Sequence, residues 1–202
     1  MPPVTRGIIV ANVVLYLAQA WGAEAPLILN LALWPLGSSS IGAGFEPWQL
    51  LTYAFLHGGL AHIGLNMLAL WMFGSDVERT LGSQRFLRYY AVCIIAAGLA
   101  QLAVSTLIGG EPYPTLGASG GVFGVLLAFA VFFPRRIIML LFPPIPMPAW
   151  LFVTLYGLLE LTLGVTGSAS GVAHFAHLGG LLGGWLVMRY WRGQPPFGRP
   201  RR

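Results

Sequence analysis

The 202-residue chain has no lysine, few charges of any kind and a single cysteine. Charged residues make up 8% of it, as 11 arginines and 6 carboxylates, against about 25% in soluble domains. So few charges cannot cover a water-soluble surface, and a soluble single domain is excluded. The hydrophobic content of 56% and the mean hydropathy of +0.74 point to lipid as the main solvent. One cysteine, Cys93, excludes an internal disulfide and a multi-cysteine metal site. The aromatic content of 13% and the long apolar runs exclude disorder. A pI near 9.9 would suit a nucleic-acid binder, but the placement of the arginines gives it another origin.

A helix needs about 20 mostly apolar residues to cross a bilayer. Six segments are candidates: 7–22, 60–73, 89–108, 118–133, 149–165 and 172–191. The second and fourth are short, and the second has an apolar lead-in at 48–56. The first resembles a signal peptide, but five more candidate spans follow it and no small-x-small cleavage site does. The expectation is an all-α polytopic membrane protein: one six-transmembrane-helix bundle over 1–192, then a basic, disordered cytoplasmic tail over 193–202. No internal repeat is visible.

With six spans every arginine falls on one side: Arg6, then Arg79, Arg85 and Arg88, then Arg135 and Arg136, then Arg189, Arg192, Arg199, Arg201 and Arg202. The other side carries Glu24, Glu46 and Glu111 and no basic residue. Basic residues concentrate in cytoplasmic loops, so both termini are expected in the cytoplasm. The basic pI then reflects topology and contact with anionic lipid headgroups, and no nucleic-acid partner is expected. The outer loop 23–55 is apolar and aromatic, with Trp34, Phe45, Trp48, Tyr53 and Phe55, and is expected in the membrane interface. Pro143, Pro144, Pro146 and Pro148 forbid a continuous helix from the fourth span into the fifth.

Polar side chains inside spans are costly, and are candidate functional groups for that reason. All four histidines, His57, His62, His174 and His177, sit at the outer ends of the second and sixth spans. His62 and Asn66 share a helix face. That face can serve a site, or can merely hydrogen-bond a neighbouring helix. A helix is expected to start near Ser119, in Gly117-Ala118-Ser119-Gly120, where free backbone N–H groups favour a developing oxyanion. Ser119 can equally be only an N-cap, and the glycines only packing positions. Gly120 and Gly124 make one small-residue face, and Gly180 and Gly184 another below His177. If the two faces pack, Ser119 and His177 meet near the outer surface as nucleophile and base. His174 lacks that glycine register, so His177 is the preferred base.

His62-x-x-x-Asn66, Gly117-x-Ser119-Gly120 and Ala176-His177-x-x-Gly180-x-x-x-Gly184, in this order on the second, fourth and sixth spans, resemble the rhomboid family of intramembrane serine proteases. Trp48 and Glu78-Arg79-x-x-Gly82 extend the resemblance, which runs from Phe45 to Gly184. It implies a six-helix, bacterial-type bundle in the plasma (inner) membrane, with a cavity open to the outside. It implies a Ser119–His177 dyad without an acidic third member, and an oxyanion site made by His62, Asn66 and the Ser119 backbone N–H. It also implies transmembrane protein substrates, gated by the fifth span and the first loop. No cofactor and no metal are implied. Two positions depart from the family: Gln49 follows Trp48 where arginine is frequent, and Phe123 stands where a tyrosine often stacks on the base.

Three other readings compete. A catalytically inactive rhomboid-like protein would act in binding or quality control, but such proteins usually lack the serine or the histidine. A zinc protease needs a pattern such as His-Glu-x-x-His, which is absent, and His174 with His177 offers only two ligands. A transporter would usually show repeat symmetry. Glu160, in the fifth span, either faces the cavity or gate, or hydrogen-bonds to a neighbouring helix. The spacing gives it no contact with His177, so it is not expected to form a triad.

Cysteines introduced by Arg85→Cys and Gly110→Cys test the topology. An impermeant thiol reagent on intact cells should label position 110 and spare position 85. Labelling at 85 would contradict the assigned orientation.

Overall fold

A computed structural model describes residues 1–38, 43–108, 113–139, 144–167 and 173–197. Helix α1 (Pro3–Ala18) starts on a proline, whose missing N–H is not needed in a first turn. The next two donors in that turn, the amides of Val4 and Thr5, are accepted by the Glu78 carboxylate at 3.0 and 2.7 Å. A carboxylate from another helix therefore caps α1, and it accepts the Thr5 and Ser83 hydroxyls as well. Helix α1 passes through a kinked π-turn, Gln19–Ala23, into α2 (Glu24–Leu31). Short α3 (Gln49–Thr52) and a 3₁₀ turn, Tyr53–Phe55, follow. The chain then bends by 101° into α4 (Leu60–Ala69), a π-turn at Leu70–Gly74 and α5 (Ser75–Leu81). Helices α6 (Ser83–Ile108), α7 (Ser119–Phe132), α8 (Ala149–Thr166) and α9 (His174–Trp191) complete the bundle. Strands β1 (Ile137–Met139) and β2 (Pro146–Pro148) form a small antiparallel ribbon between α7 and α8, which accommodates the proline-rich stretch.

The chain is a helical membrane protein. Among the described residues three helical stretches can cross a bilayer by length and apolar content, or four if the bent pair Gln49–Phe55 and Leu60–Leu81 counts as one span. The other two expected spans fall short for physical reasons. Helix α7 has only 14 residues, although it is apolar on all sides and almost wholly buried. Helix α9 carries two histidines and four glycines in its first three turns. Helix α7 lies at the centre of the bundle with protein around it, and α9 packs its histidine and glycine face against α6 and α7.

Close packing of α6, α7 and α9 defines that centre. The expected meeting of glycine faces occurs at Gly180, which lies against the Gly120 backbone so closely that a Cβ there would overlap the Gly120 carbonyl. Gly124 sits over the Gly180 carbonyl and against Cys93. Gly184 departs from the expectation: it faces Tyr89 and Cys93 of α6, not α7. Gly179 and Gly183 face the small residues Ala96, Ala97 and Ala100 of α6. Helix α6 is thus the spine on which α7 and α9 are aligned, and Tyr89 Oη donates to the Gly124 carbonyl at 2.7 Å to fix the register.

The first loop is more deeply built in than an interfacial loop. Tyr53, expected at the membrane surface, is 1% exposed and donates from Oη to the Ile94 carbonyl at 2.7 Å. Its ring is large enough to reach α6, and the hydroxyl finds a partner there. At the other end, Arg79 and Arg136 both pair with Asp76 at 2.9 Å, so two of the basic loops share one end of the bundle. In the tail, 193–197 turns back, with Phe197 edge-on to Tyr190 and the Arg189 Nε donating to the Pro195 carbonyl at 2.7 Å. Glu111, Pro143, Arg199, Arg201 and Arg202, and the expected start of the sixth span at Val172, lie outside the described residues.

Gly180→Ala should abolish folding or lower the melting temperature in detergent sharply, because backbone is the obstructing atom. Gly64→Ala, on an open helix face with nothing within 4 Å, should leave it unchanged or slightly raised. Equal melting temperatures for the two variants would contradict the close contact.

Candidate active site

Ser119 is the first residue of α7, and the turn before it is held from three directions. Leu33 and Thr115 exchange backbone hydrogen bonds at 2.9 Å, tying the first loop to the approach to α7. The Gly117 N–H donates to the Tyr53 carbonyl at 3.0 Å. The Ala118 N–H points to His57 Nε2 at 3.5 Å. Gly117 has φ +125°, which side chains rarely adopt, and a Cβ there would run into the His62 ring. Ala118 is the N-cap, so Ser119 is not merely a capping residue, and its side chain is free for other work.

That work is visible in its partner. Ser119 Oγ and His177 Nε2 are 2.8 Å apart. The imidazole lies flat on Phe123, with centroids 4.3 Å apart and planes 8° from parallel. Phe123 is one turn along α7 from Ser119, so one helix supplies both Ser119 and the surface that sets the ring plane. Stacking needs only the ring, which is why phenylalanine serves at this place.

The other face of the site corrects the reading of Glu160. Its Oε2 lies 2.9 Å from His177 Nδ1 and 2.6 Å from His174 Nδ1. The carboxyl group is hydrogen-bonded to a neighbouring helix as expected, but the partner includes the candidate base itself. Glu160 is 4% exposed, His174 6% and His177 8%, so these contacts replace water instead of supplementing it. A carboxylate only accepts, so both Nδ1 atoms carry hydrogen. In the neutral ring, His177 Nε2 then turns its lone pair toward Ser119. Tyr156, a turn before Glu160 on α8, tilts against Phe123 at 4.9 Å and steadies the same corner.

His62 and Asn66 occupy the opposite wall. The His62 ring lies beside Gly117. Its Nδ1 accepts from the Gly58 N–H at a long 3.5 Å, leaving Nε2 as the donor. Asn66 is buried, and one of its amide hydrogens goes to the His62 carbonyl at 2.9 Å. The structure therefore gathers Ser119, His177, Phe123, Gly117 and His62. It sets Asn66 a turn behind His62, and uses Gly120 and Gly180 as the close contact below.

The sequence alone does not join Glu160 and His174 to His177, nor does it mark Gln19 as a support or show how Gln49 and His57 act as supports. Gln19 brackets the His57 backbone, donating to its carbonyl at 3.2 Å and accepting its N–H at 3.1 Å. His57 lies edge-on to His62 at 4.9 Å. Gln49 is 1% exposed, accepts the Trp34 N–H at 3.2 Å and donates to the Gly44 carbonyl at 3.0 Å. Loop structure is thus held by an amide where arginine is frequent. One signal was available for Glu160: α8 and α9 are consecutive, and their polar residues cluster toward the same connection.

Residues 44–193 match the family model of the Rhomboid domain. The chain is 34% identical over 151 residues to Rhomboid protease GluP of Bacillus subtilis, which covers 74% of this chain and 27% of that protein. It is 36% identical over 157 residues to mitochondrial Rhomboid protein 1 of Saccharomyces cerevisiae, covering 70% and 42% respectively. It is 30% identical over 147 residues to the putative rhomboid protease YdcA of Bacillus subtilis, covering 72% and 67%. The chain spans well under half the length of the first two of these relatives.

Gln49→Leu would leave the Trp34 amide and the Gly44 carbonyl without partners. A buried unsatisfied group costs about 1–3 kcal/mol, so the variant should melt earlier in detergent. An unchanged melting temperature would remove Gln49 from the supports of the site.

Proposed function

Because the chain belongs to the rhomboid family, we propose that it is an intramembrane serine endopeptidase that cleaves peptide bonds in or near transmembrane segments of membrane proteins. The observation that carries this reading is the 2.8 Å contact between Ser119 Oγ and His177 Nε2 at the start of a buried helix. Ser119 attacks the peptide carbonyl while His177 takes its proton, then returns it to the leaving amine. Water then cleaves the acyl-enzyme by the same steps in reverse roles. The negative oxygen of each tetrahedral intermediate is held by the Ser119 backbone N–H, His62 and Asn66. One such donor is worth about 2.7–4 kcal/mol.

The substrate must present extended backbone, because a helix hides its amides from a nucleophile. Helix-breaking small residues near the scissile bond are the chemistry this site selects. The domain 1–192 sits as a six-span bundle in the plasma (inner) membrane, with both termini in the cytoplasm and the site open to the outside. The bilayer and transmembrane protein substrates are its partners. The presence and contact of Ser119 and His177 support the protease reading over that of an inactive binding protein.

A fluorophosphonate probe in detergent should label Ser119, and both Ser119→Ala and His177→Ala should abolish labelling and proteolysis. Asn66→Ala should lower kcat more than it raises KM, by up to about 10²–10³. Binding of a transmembrane substrate with neither labelling nor cleavage would instead establish the inactive rhomboid-like role.

A further inference from the structure

We propose that Glu160 is a positioning residue for His177, so that the chain works as a Ser119–His177–Glu160 triad with His174 as the anchor of the carboxylate. This rests on the protease reading above. The resemblance that introduced that reading implies a dyad, and the third member comes from this chain's own α8.

The placement of Glu160 is hard to explain otherwise. It sits on a helix whose neighbouring Leu158, Leu159 and Leu161 are exposed toward the surrounding lipid. A carboxylate within a span is retained only with strong partners, and this one points inward at two imidazoles through a single oxygen. His177 is then constrained on three sides. Ser119 Oγ faces Nε2, Glu160 Oε2 faces Nδ1, and Phe123 fixes the ring plane. The Nδ1 contact holds the tautomer whose Nε2 can accept a proton. When Ser119 attacks, its proton passes to Nε2 and the ring becomes an imidazolium. Oε2, 2.9 Å away, stabilises that cation and takes no proton itself. His174 donates to the same oxygen at 2.6 Å, which holds the flexible glutamate side chain in the orientation that serves His177.

The same three residues offer a zinc-type donor set, with ligand atoms within 4.8 Å of one another. Their spacing favours hydrogen bonding. Ligands about 2.0–2.1 Å from a tetrahedral zinc lie further apart than the 2.6 and 2.9 Å separating Oε2 from the two Nδ1 atoms.

Steady-state cleavage of a transmembrane substrate in detergent tests the proposal. Glu160→Ala should lower kcat by about 10²–10⁴-fold with KM within about threefold. Glu160→Gln, nearly isosteric, should fall between Glu160→Ala and the parent, because its oxygen can still accept from Nδ1 without charge. It also serves as the comparison if Glu160→Ala fails to fold. His174→Ala should cost less, and adding it to Glu160→Ala should cost nothing more, since it acts only through the carboxylate. Parent-like kcat in Glu160→Gln and in any folded Glu160→Ala, with a lowered melting temperature, would reduce Glu160 to packing and overturn the proposal. A loss confined to KM would also overturn it. So would one zinc per chain in purified Ser119→Ala protein that disappears in the Glu160→Gln background. Undiminished cleavage by Ser119→Ala would instead refute the protease reading itself, whatever the Glu160 variants do.

Discussion

The contact of Gly180 with the Gly120 backbone is the constraint on which the rest of the structure depends. Helices separated by ordinary side chains lie about 8–10 Å apart. Here α9 meets α7 backbone to backbone, one turn below the site. The short reach of a serine and an imidazole closes the remaining distance only because the helices start this close. Small residues give membrane helices such approach without a hydrophobic driving force between them. Helix α6 supplies what two glycine faces alone lack, namely a fixed register. Tyr89 and Cys93 fill the space beside Gly184 and Gly124, and the Tyr89 hydroxyl locks onto the Gly124 carbonyl. Position and register together bring Ser119 and His177 into contact.

Polar groups placed this deep need partners, and the site links four of its side chains in a chain. Ser119 meets His177, His177 meets Glu160, and Glu160 meets His174. On the opposite wall Gln19 saturates the backbone of His57, and Asn66 turns one amide hydrogen back onto its own helix. Each of these groups would be expensive alone in a span. The cost explains why these residues contact one another in a connected set. At the opposite end the same rule recurs with Glu78, a buried carboxylate that is tolerated because two amides and two hydroxyls surround it.

Much of this was legible in the sequence, for reasons of period and spacing. The apolar runs announced helices, and Gly120 and Gly180 announced a close crossing beside Ser119 and one turn after His177. What stayed hidden depends on long-range geometry. Gly184 was assigned to α7 because spacing shows that a small-residue face exists, but not which neighbour uses it. Tyr53 looked interfacial because composition cannot tell an aromatic ring facing headgroups from one reaching across to Ile94. Glu160 was separated from His177 because residues on two antiparallel helices meet according to how the helices rotate, which no local pattern records.

The two departures from the family pattern follow the same division between local and distant demands. Phe123 answers a local one: the place on α7 one turn after the nucleophile must present a flat ring to the imidazole, and a phenylalanine ring at 4.3 Å does so without a hydroxyl. Gln49 answers a distant one. The first loop must be tied down so that Leu33 can bridge to Thr115 and hold the turn that carries Ser119. A buried amide can donate and accept at once, and Gln49 uses both capacities, on Trp34 and on Gly44. An arginine can only donate, so it would leave the Trp34 N–H unpaired in this arrangement. The glutamine is therefore suited to a loop that folds back on itself, and through Leu33 and Thr115 that loop carries its order to the turn before Ser119.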